Sequence, residues 1–353
     1  MGGNHIIRDY SNQNYSIFFN KKTGFFARIE HPGYNEPFWS ENGPELIDFS
    51  ITNFCEKECS FCYRGSNNKG KHISMDDFLF VLNQLKSIGV LQIAYGGGNP
   101  NQHPYFIDIL ENTFKYGIVP SYTTNGLGLN NEILKATEKY CGAMAISAYD
   151  PYNYLEHIID KILKFKIKLN IHFLLTKNSI NRAIDWIKNP PYYLHKINAI
   201  IFLNYKPINS TSAINLKYSN TLNVFFDLLS LKKTPFKIGF DSCSISGIVK
   251  FLDVNPISIE YCEAARFSAF LSEDLKMYPC SFMVKTDRYG DLRKNNILDI
   301  WHKNVHFKNN RKAILNNSCT SCKHYSICMG GCPFIDNISL CGMKSEQITS
   351  MDQ

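Results

Sequence analysis

The chain has 353 residues, 44% hydrophobic and 20% charged, with twelve cysteines and a formal net charge of +7. That composition is globular, with room for one large domain and a smaller one, and it excludes a disordered or fibrous chain. No apolar run approaches the roughly eighteen residues of a membrane span, and MGGNHIIRDYSNQNYS lacks the apolar core of a secretory signal. A cytoplasmic protein with no membrane partner is expected. Lys and Arg never run longer than two, so the charge is not read as a nucleic-acid footprint. In a reducing compartment, cysteines clustered at C-x2-C and C-x3-C spacings are expected to bind metal rather than to form disulfides.

Residues 1–46 are rich in aromatics and turn residues. Tyr15–Asn20 and Phe25–Glu30, joined through Lys22-Thr23-Gly24, read as a β-hairpin. The segment is short for a helical substrate-recognition domain. From residue 47 the pattern alternates: strands at 47–52, 90–95, 118–123, 142–148, 167–175 and 197–204, helices at 75–88, 104–116, 130–139, 152–164 and 179–188. Ser74 with Asp77 three residues on is a capping signal for the first helix. Six βα-type units point to an α/β fold with a parallel sheet or barrel. Pro207–Ile214 reads as a polar connector and 217–232 as an amphipathic helix. Beyond Lys237 short strands, turns and cysteines indicate a second, cysteine-held domain. The expected division is 1–46, 47–206, 207–235, 236–341 and a tail at 342–353.

Cys55-x3-Cys59-x2-Cys62 follows the alternating run Ile47, Phe49, Ile51, in the loop after the first strand. Three thiolates there can hold one metal centre and leave a coordination position open, as a reactive site requires. Loops at the C-terminal ends of parallel strands carry chemistry. The next such loops hold Gly96-Gly97-Gly98-Asn99-Pro100, Thr123-Thr124-Asn125-Gly126 and Ser147-Ala148-Tyr149-Asp150. A second constellation, Cys319-x2-Cys322-x5-Cys328-x3-Cys332 with Cys341 beyond, is preceded by Cys243, Cys262 and Cys280. A structural zinc site remains open for each constellation, although zinc has no use for so many further cysteines.

The first constellation, with Phe61 before its last cysteine, resembles the signature of the radical SAM superfamily. The resemblance implies a partial (β/α)6 barrel whose three cysteines bind a 4Fe–4S cluster, with S-adenosylmethionine chelating the open iron. Reductive cleavage would then give a 5′-deoxyadenosyl radical. Tyr95-Gly96-Gly97-Gly98-Asn99 resembles the family's glycine-rich motif that contacts the methionine amino group, with Asn99 where an acidic residue is commoner. Thr124, Asn125 and Ser147 fall where the family contacts the cofactor's sugar or carboxylate. The C-terminal cysteines resemble the SPASM domain of peptide-modifying members, which holds two auxiliary 4Fe–4S clusters. Its interleaved pattern implies Cys319, Cys322, Cys328 and Cys341 for one cluster and Cys262, Cys280 and Cys332 for the other. Cys243 is the local candidate for the remaining ligand, and Cys141 is left as a buried small hydrophobe. Leu275 replaces the glycine usual five residues before Cys280, so a differently shaped turn is expected there.

The resemblance implies a peptide or protein substrate, matured by thioether or carbon–carbon crosslinking or by side-chain oxidation, and an electron donor such as flavodoxin or ferredoxin. Any leader peptide would be recognised by the hairpin or by a separate protein. A small-molecule dehydrogenase and a non-catalytic metal-binding scaffold are the alternatives. Asn101-Gln102-His103-Pro104, His172 and Lys206 remain weaker candidates; both histidines are expected to be structural, and Lys206 meets a carboxylate of cofactor or substrate or is solvated.

Overall fold

The computed structural model describes residues 4–208, 214–315, 319–335 and 338–342; connector residues 209–213 and most of the expected tail lie outside them. β1 (His5–Tyr10), β2 (Tyr15–Asn20) and β3 (Phe26–Glu30) form an antiparallel sheet. β2–β3 is the expected hairpin. β1 is an additional strand that composition hides, because His5, Ile7 and Asp9 are exposed and the strand is half-buried only at alternate positions.

Parallel strands β4 (Leu46–Thr52), β5 (Gln92–Gly97), β6 (Val119–Thr124), β7 (Ala143–Ala148), β8 (Leu169–Leu175) and β9 (Ala199–Asn204) follow in order. Crossovers run through α1 (Met75–Ser87), α2 (Phe106–Lys115), α3 (Asn131–Tyr140), α4 (Tyr154–Ile162) and α5 (Ile180–Lys188). Ser74 caps α1 by accepting from the Asp77 N–H at 3.1 Å, and Asn130 caps α3 in the same way at 2.9 Å. After α6 (Asn220–Leu231), β10 (Lys237–Phe240) adds parallel to β9. At the opposite edge β11 (Ser268–Leu271) runs parallel to β4, and β12 (Lys276–Tyr278) and β13 (Gly290–Asp291) continue antiparallel. The result is one open ten-stranded sheet, β10-β9-β8-β7-β6-β5-β4-β11-β12-β13. Strands from the cysteine-rich segment thus join both edges of the βα sheet.

Alternation along the strands separates two faces. Ile47, Phe49, Ile51, Ile93, Ile146, Phe173 and Phe202 are fully buried in one core with the helices. On β4 to β7 the alternate positions include small or polar residues, Ala94, Ser121 and Ala145, with Asp48 on β4; Asn170 and His172 follow on β8, and Leu174, Ile201 and Leu203 line the same face toward β9. This hollow face is therefore polar on one side and apolar on the other.

The N-terminal sheet closes the other end. Tyr15, Ile17 and Phe19 pack on Leu91 and Val119 at the starts of β5 and β6, opposite to the rim that carries the cysteine loop. Arg28 of β3, its side chain 6% exposed, pins this end. It donates to Glu45 and Glu263 at 2.8 Å each, reaches Glu260 at 3.1 Å and Glu36 at 3.3 Å, and stacks on Phe267 at 3.6 Å. Burial opposes its charge, but Glu45, Glu263 and Glu36 outweigh burial and hold the guanidinium protonated. Arg28→Met leaves these carboxylates without their cation and is expected to cost about 3–5 kcal/mol. A thermal or urea unfolding series reads the loss, and an unchanged midpoint would contradict the pinning role.

Candidate iron–sulfur and cofactor site

The cysteine loop leaves β4 through Thr52, whose hydroxyl accepts from the Phe54 N–H at 2.9 Å. Cys55 N–H donates to Asn67 O at 3.0 Å and Asn53 N–H to Lys71 O at 2.8 Å, folding the loop back on itself. Gly70 permits that return, since a Cβ there would lie 2.0 Å from Asn53 O. Cys62 N–H turns back to Cys59 O at 3.0 Å. Burial, together with the neighbouring Cys62 and Cys55, pushes the Cys59 thiol up.

The glycine loop packs directly on this segment. Gly98 N–H donates to Thr52 O at 2.7 Å and Asn99 N–H to Phe54 O at 2.8 Å, and a Cβ on Gly98 would sit 2.0 Å from Phe54 O. Gly96 is different: a Cβ there meets nothing within 4 Å, so its missing side chain leaves room that no protein atom fills. Asn125 donates from Nδ2 to Cys55 Sγ at 3.4 Å, linking the next loop to the cysteines.

The side chains of four other expected cofactor contacts are engaged within the protein. Tyr95 faces the helices, 1% exposed, with its hydroxyl on Thr113, because it occupies an outward position in the alternation of β5. Asn99, also 1% exposed, accepts from Thr124 Oγ1 at 2.8 Å and donates to Leu127 O at 3.0 Å. Asn99 and Thr124 therefore join two rim loops instead of presenting side chains at the rim. Ser147 is buried and bonded to Tyr149. Beside it lies a cavity of about 490 Å3 walled by Phe61, Tyr149, Tyr152 and Arg182. Gln102 holds the cysteine loop through Glu56 at 2.6 Å, and Asn101 donates to Leu127 O at 2.7 Å.

The remaining cysteines fall into two groups. Cys243, Cys262, Cys280 and Cys332 lie within electrostatic reach of one another: Cys243 with Cys332 and Cys262, and Cys262 with Cys332 and Cys280. Cys328 lies similarly beside Cys341, Cys319 and Cys322. Cys141 stands apart at the end of α3, against the main core. Among the described residues no cysteine is bridged. Burial pushes Cys280 up to about 12 and Cys328 up to about 11. A cationic metal core relieves crowded buried thiols that resist ionisation, although among the described residues no three or more of the donor side chains stand close enough together to hold a metal ion as they are placed.

Several contacts were not legible in the sequence. Arg64, two residues after Cys62, donates to Glu273 at 2.6 Å; Ser50 donates to the same oxygen at 2.8 Å. Glu273 lies in the β11–β12 turn, where Leu275 adopts φ +64°. The leucine thus takes the left-handed conformation that glycine favours, correcting the expectation of a differently shaped turn; its burial offsets the strain. Lys206 is not solvated: it donates to Asp241, with its side chain 5% exposed. Asp48 had one available signal, a lone charge inside an apolar strand. Protein surrounds it and pushes its carboxyl up to about 6, yet the side chain remains open to solvent on the hollow face. His172, on the same face, bonds to Thr123 at 3.2 Å, and burial pushes it down to about 4.

The cysteine loop and the glycine loop meet at the C-terminal ends of neighbouring parallel strands. The family models agree: residues 49–189 match the Radical SAM superfamily, and residues 262–323 match SPASM, an iron-sulfur cluster-binding domain. The chain is a radical SAM enzyme with a SPASM domain, and as such binds S-adenosylmethionine and iron–sulfur clusters. It is 22% identical over 321 residues to the tungsten-containing aldehyde ferredoxin oxidoreductase cofactor-modifying protein of Pyrococcus furiosus, covering 80% of this chain and 88% of that one. It is 17% identical to the mycofactocin maturase MftC of Mycolicibacterium smegmatis, covering 82% and 78%. Its fold is similar to Streptococcus suis SuiB bound to precursor peptide SuiA, with TM-score 0.73 and 16% identity over 95% of this chain and 98% of that one. Among the described residues no helix is long and apolar enough to cross a membrane.

Two predictions follow from the local geometry. Gly96→Val should leave the unfolding midpoint nearly unchanged while weakening S-adenosylmethionine binding, whereas Gly98→Ala should destabilise the fold; titration calorimetry and thermal melts separate them. His103 accepts at Nδ1 from Tyr105 N–H at 3.1 Å and therefore donates from Nε2 to Ile73 O at 3.0 Å. Burial pushes it down to about 4, from an ordinary 6.5. Its contribution is complete above pH 6.5 and lost as pH falls toward 4, because the unfolded chain takes the proton first. Urea midpoints should decline across that window, and less steeply in His103→Gln.

Proposed function

We propose that this enzyme matures a peptide: it removes hydrogen from a residue of a ribosomally made peptide or of a protein, forming a thioether or carbon–carbon crosslink or oxidising a side chain. Cys55, Cys59 and Cys62 hold the cluster that takes S-adenosylmethionine. Two auxiliary 4Fe–4S clusters are held by Cys319, Cys322, Cys328 and Cys341 and by Cys243, Cys262, Cys280 and Cys332. The observation that carries this reading is the Cys55-x3-Cys59-x2-Cys62 loop packed on a glycine loop whose Gly96 has open space before it. The peptide class is supported by likeness to SuiB with its precursor peptide and to a mycofactocin maturase.

When bound, the first cluster and S-adenosylmethionine supply the hydrogen-abstracting radical. The chain's own residues prepare the place. Asn125 donates to Cys55 and steadies its sulfur. Gly96 leaves an open volume that would admit the cofactor's amino-acid end. Phe61, Tyr149 and Tyr152 wall the adjoining cavity and limit water. On the hollow face, neutral His172 offers a hydrogen bond and Asp48 accepts one, or a proton, from the substrate. A flavodoxin or ferredoxin is the donor class this scheme requires.

The reconstituted protein should carry about twelve iron atoms per chain, and replacing Cys55, Cys59 and Cys62 by Ala should remove about four together with all cofactor cleavage. Cys243→Ala should disturb one auxiliary spectrum alone. Reduced enzyme given candidate peptides should release product lighter by two hydrogens. Oxidation of a small alcohol with no peptide turnover would overturn the peptide reading, and one or two zinc ions in place of iron would overturn the whole scheme.

A further inference from the structure

A second cavity, of about 460 Å3, lies where the start of α5 meets the start of α6. It shares Asn181 with the cavity walled by Phe61 of the cysteine loop, so the two adjoin. Lys177 N–H donates to Ile214 O at 3.1 Å and ties the chain entering α5 to the chain that leads into α6. The charge of this cavity has one sign. Lys177 and Lys217 line it, both exposed, and among the described residues no carboxylate does. Asp150 and Asp185 line the neighbouring cavity instead. Ser219 and Thr221, also in the wall, stand at the N-terminal end of α6, a twelve-residue helix. Ser219 Oγ accepts from the Leu222 N–H at 3.3 Å. The N–H groups of Asn220 and Thr221 have no intrahelical partner, at the positive end of the helix dipole.

Asn215 is an independent sign of a ligand. It lines this cavity, is 4% exposed, and among the described residues neither its Nδ2 nor its Oδ1 has a hydrogen-bond partner. A buried amide with both ends unmet is costly unless something else supplies an acceptor and a donor. An inorganic anion or a free carboxylate supplies acceptors alone. An acidic residue within a peptide supplies both: its carboxylate accepts from Nδ2, and a backbone N–H donates to Oδ1.

We propose that this cavity seats an Asp or Glu of the peptide substrate, close in sequence to the residue that loses hydrogen, with Asn215 pairing with the acid and its backbone together. This rests on the peptide reading above. Lys177, Lys217 and the end of α6 supply the positive field that selects an acid, and Asn181 marks the passage toward the cysteine loop. A chain lying across both cavities has its acidic residue beside α6 and its neighbouring residues beside Phe61. The two cavities then divide the work: one holds the substrate in register, the other adjoins the reacting centre.

The test is fluorescence anisotropy on the anaerobically reconstituted full chain, using labelled short-peptide libraries that are random except for one central position fixed as Glu, Gln or Lys. Wild type should bind the Glu library about fivefold tighter than the Gln library, and added salt should narrow that ratio. Lys177→Glu combined with Lys217→Glu should invert the order, placing the Lys library first. Asn215→Leu should weaken the Glu library most. If Asn215→Leu does not fold, Asn215→Asp, of the same size but without a donor, decides its part by losing the Glu preference. Equal binding of the three libraries to wild type, or a Glu preference that survives both lysine replacements, would overturn the inference and leave peptide maturation standing. Inorganic phosphate bound through Asn215 and the two lysines, with no preference among the libraries, would assign the cavity to a free anion and overturn the peptide source. Wild type that binds no library at all would overturn the peptide reading and the inference with it.

Discussion

The structure depends on β4 having a parallel neighbour on each side. β5 brings the glycine loop to its left, and β11, paired Ser268 to Leu46 through Leu271 to Phe49, brings the cysteine-rich segment to its right. A slip of one residue in either pairing would turn Asp48 and Ser50 toward the helices and Phe49 toward the hollow face. The register is held chemically as well as by apolar burial. Arg64 of the cysteine loop and Ser50 of β4 both donate to Glu273 from the β11–β12 turn. A buried ion pair of this kind adds little net stability against an apolar substitute, but losing one member leaves a stranded charge. It therefore specifies arrangement: the loop bearing Cys62 and the turn leading to Cys280 can approach in one way.

Closure at one end gives the other end its function. Arg28 and the three-stranded sheet seal the strand starts, so the hollow face opens at the strand ends where the thiols gather. Small side chains such as Ala94 and Ala145 keep that face clear, and the larger alternates, Tyr95 and Phe173, are spent on the helix side. A reactive radical needs this division, with rigid packing behind the strands and an enclosed volume in front. The N-terminal hairpin thus has a structural task at the sealed end, away from the rim.

What the sequence disclosed follows the length scale of each signal. The six βα strands and their helices have clear periodicity, and their limits fall within a few residues of the expected ones. β10, β11, β12 and β13 span two to four residues each and carry no period to read; their place in the sheet comes from partners far along the chain. Cysteine spacing announced metal chemistry because thiol clusters have few other uses in a reducing compartment. Side-chain direction was harder. Tyr95 stands one residue before the open glycine, and alternation sends it to the opposite face. Asn99 and Thr124 are at the rim, but their polar atoms satisfy each other. Glu273 had no local signal, since its partners lie more than two hundred residues away in the chain.

The same long-range geometry makes the second half of the chain part of the main core. Leu271, Met277, Ile300, Trp301 and Phe307 are buried in it, and a smaller cluster centres on Phe270, Tyr278 and Met283. The short strands β11, β12 and β13 therefore draw their stability from burial against β4 and the helices rather than from a core of their own. In the proposed grouping, ligands drawn from Cys243, Cys262, Cys280 and Cys332 would close long loops, where a cross-link removes the most freedom from the unfolded chain. Cys243 follows β10 at one edge of the sheet and Cys280 follows β12 near the other, so a centre shared by them would join segments that the sheet itself holds apart.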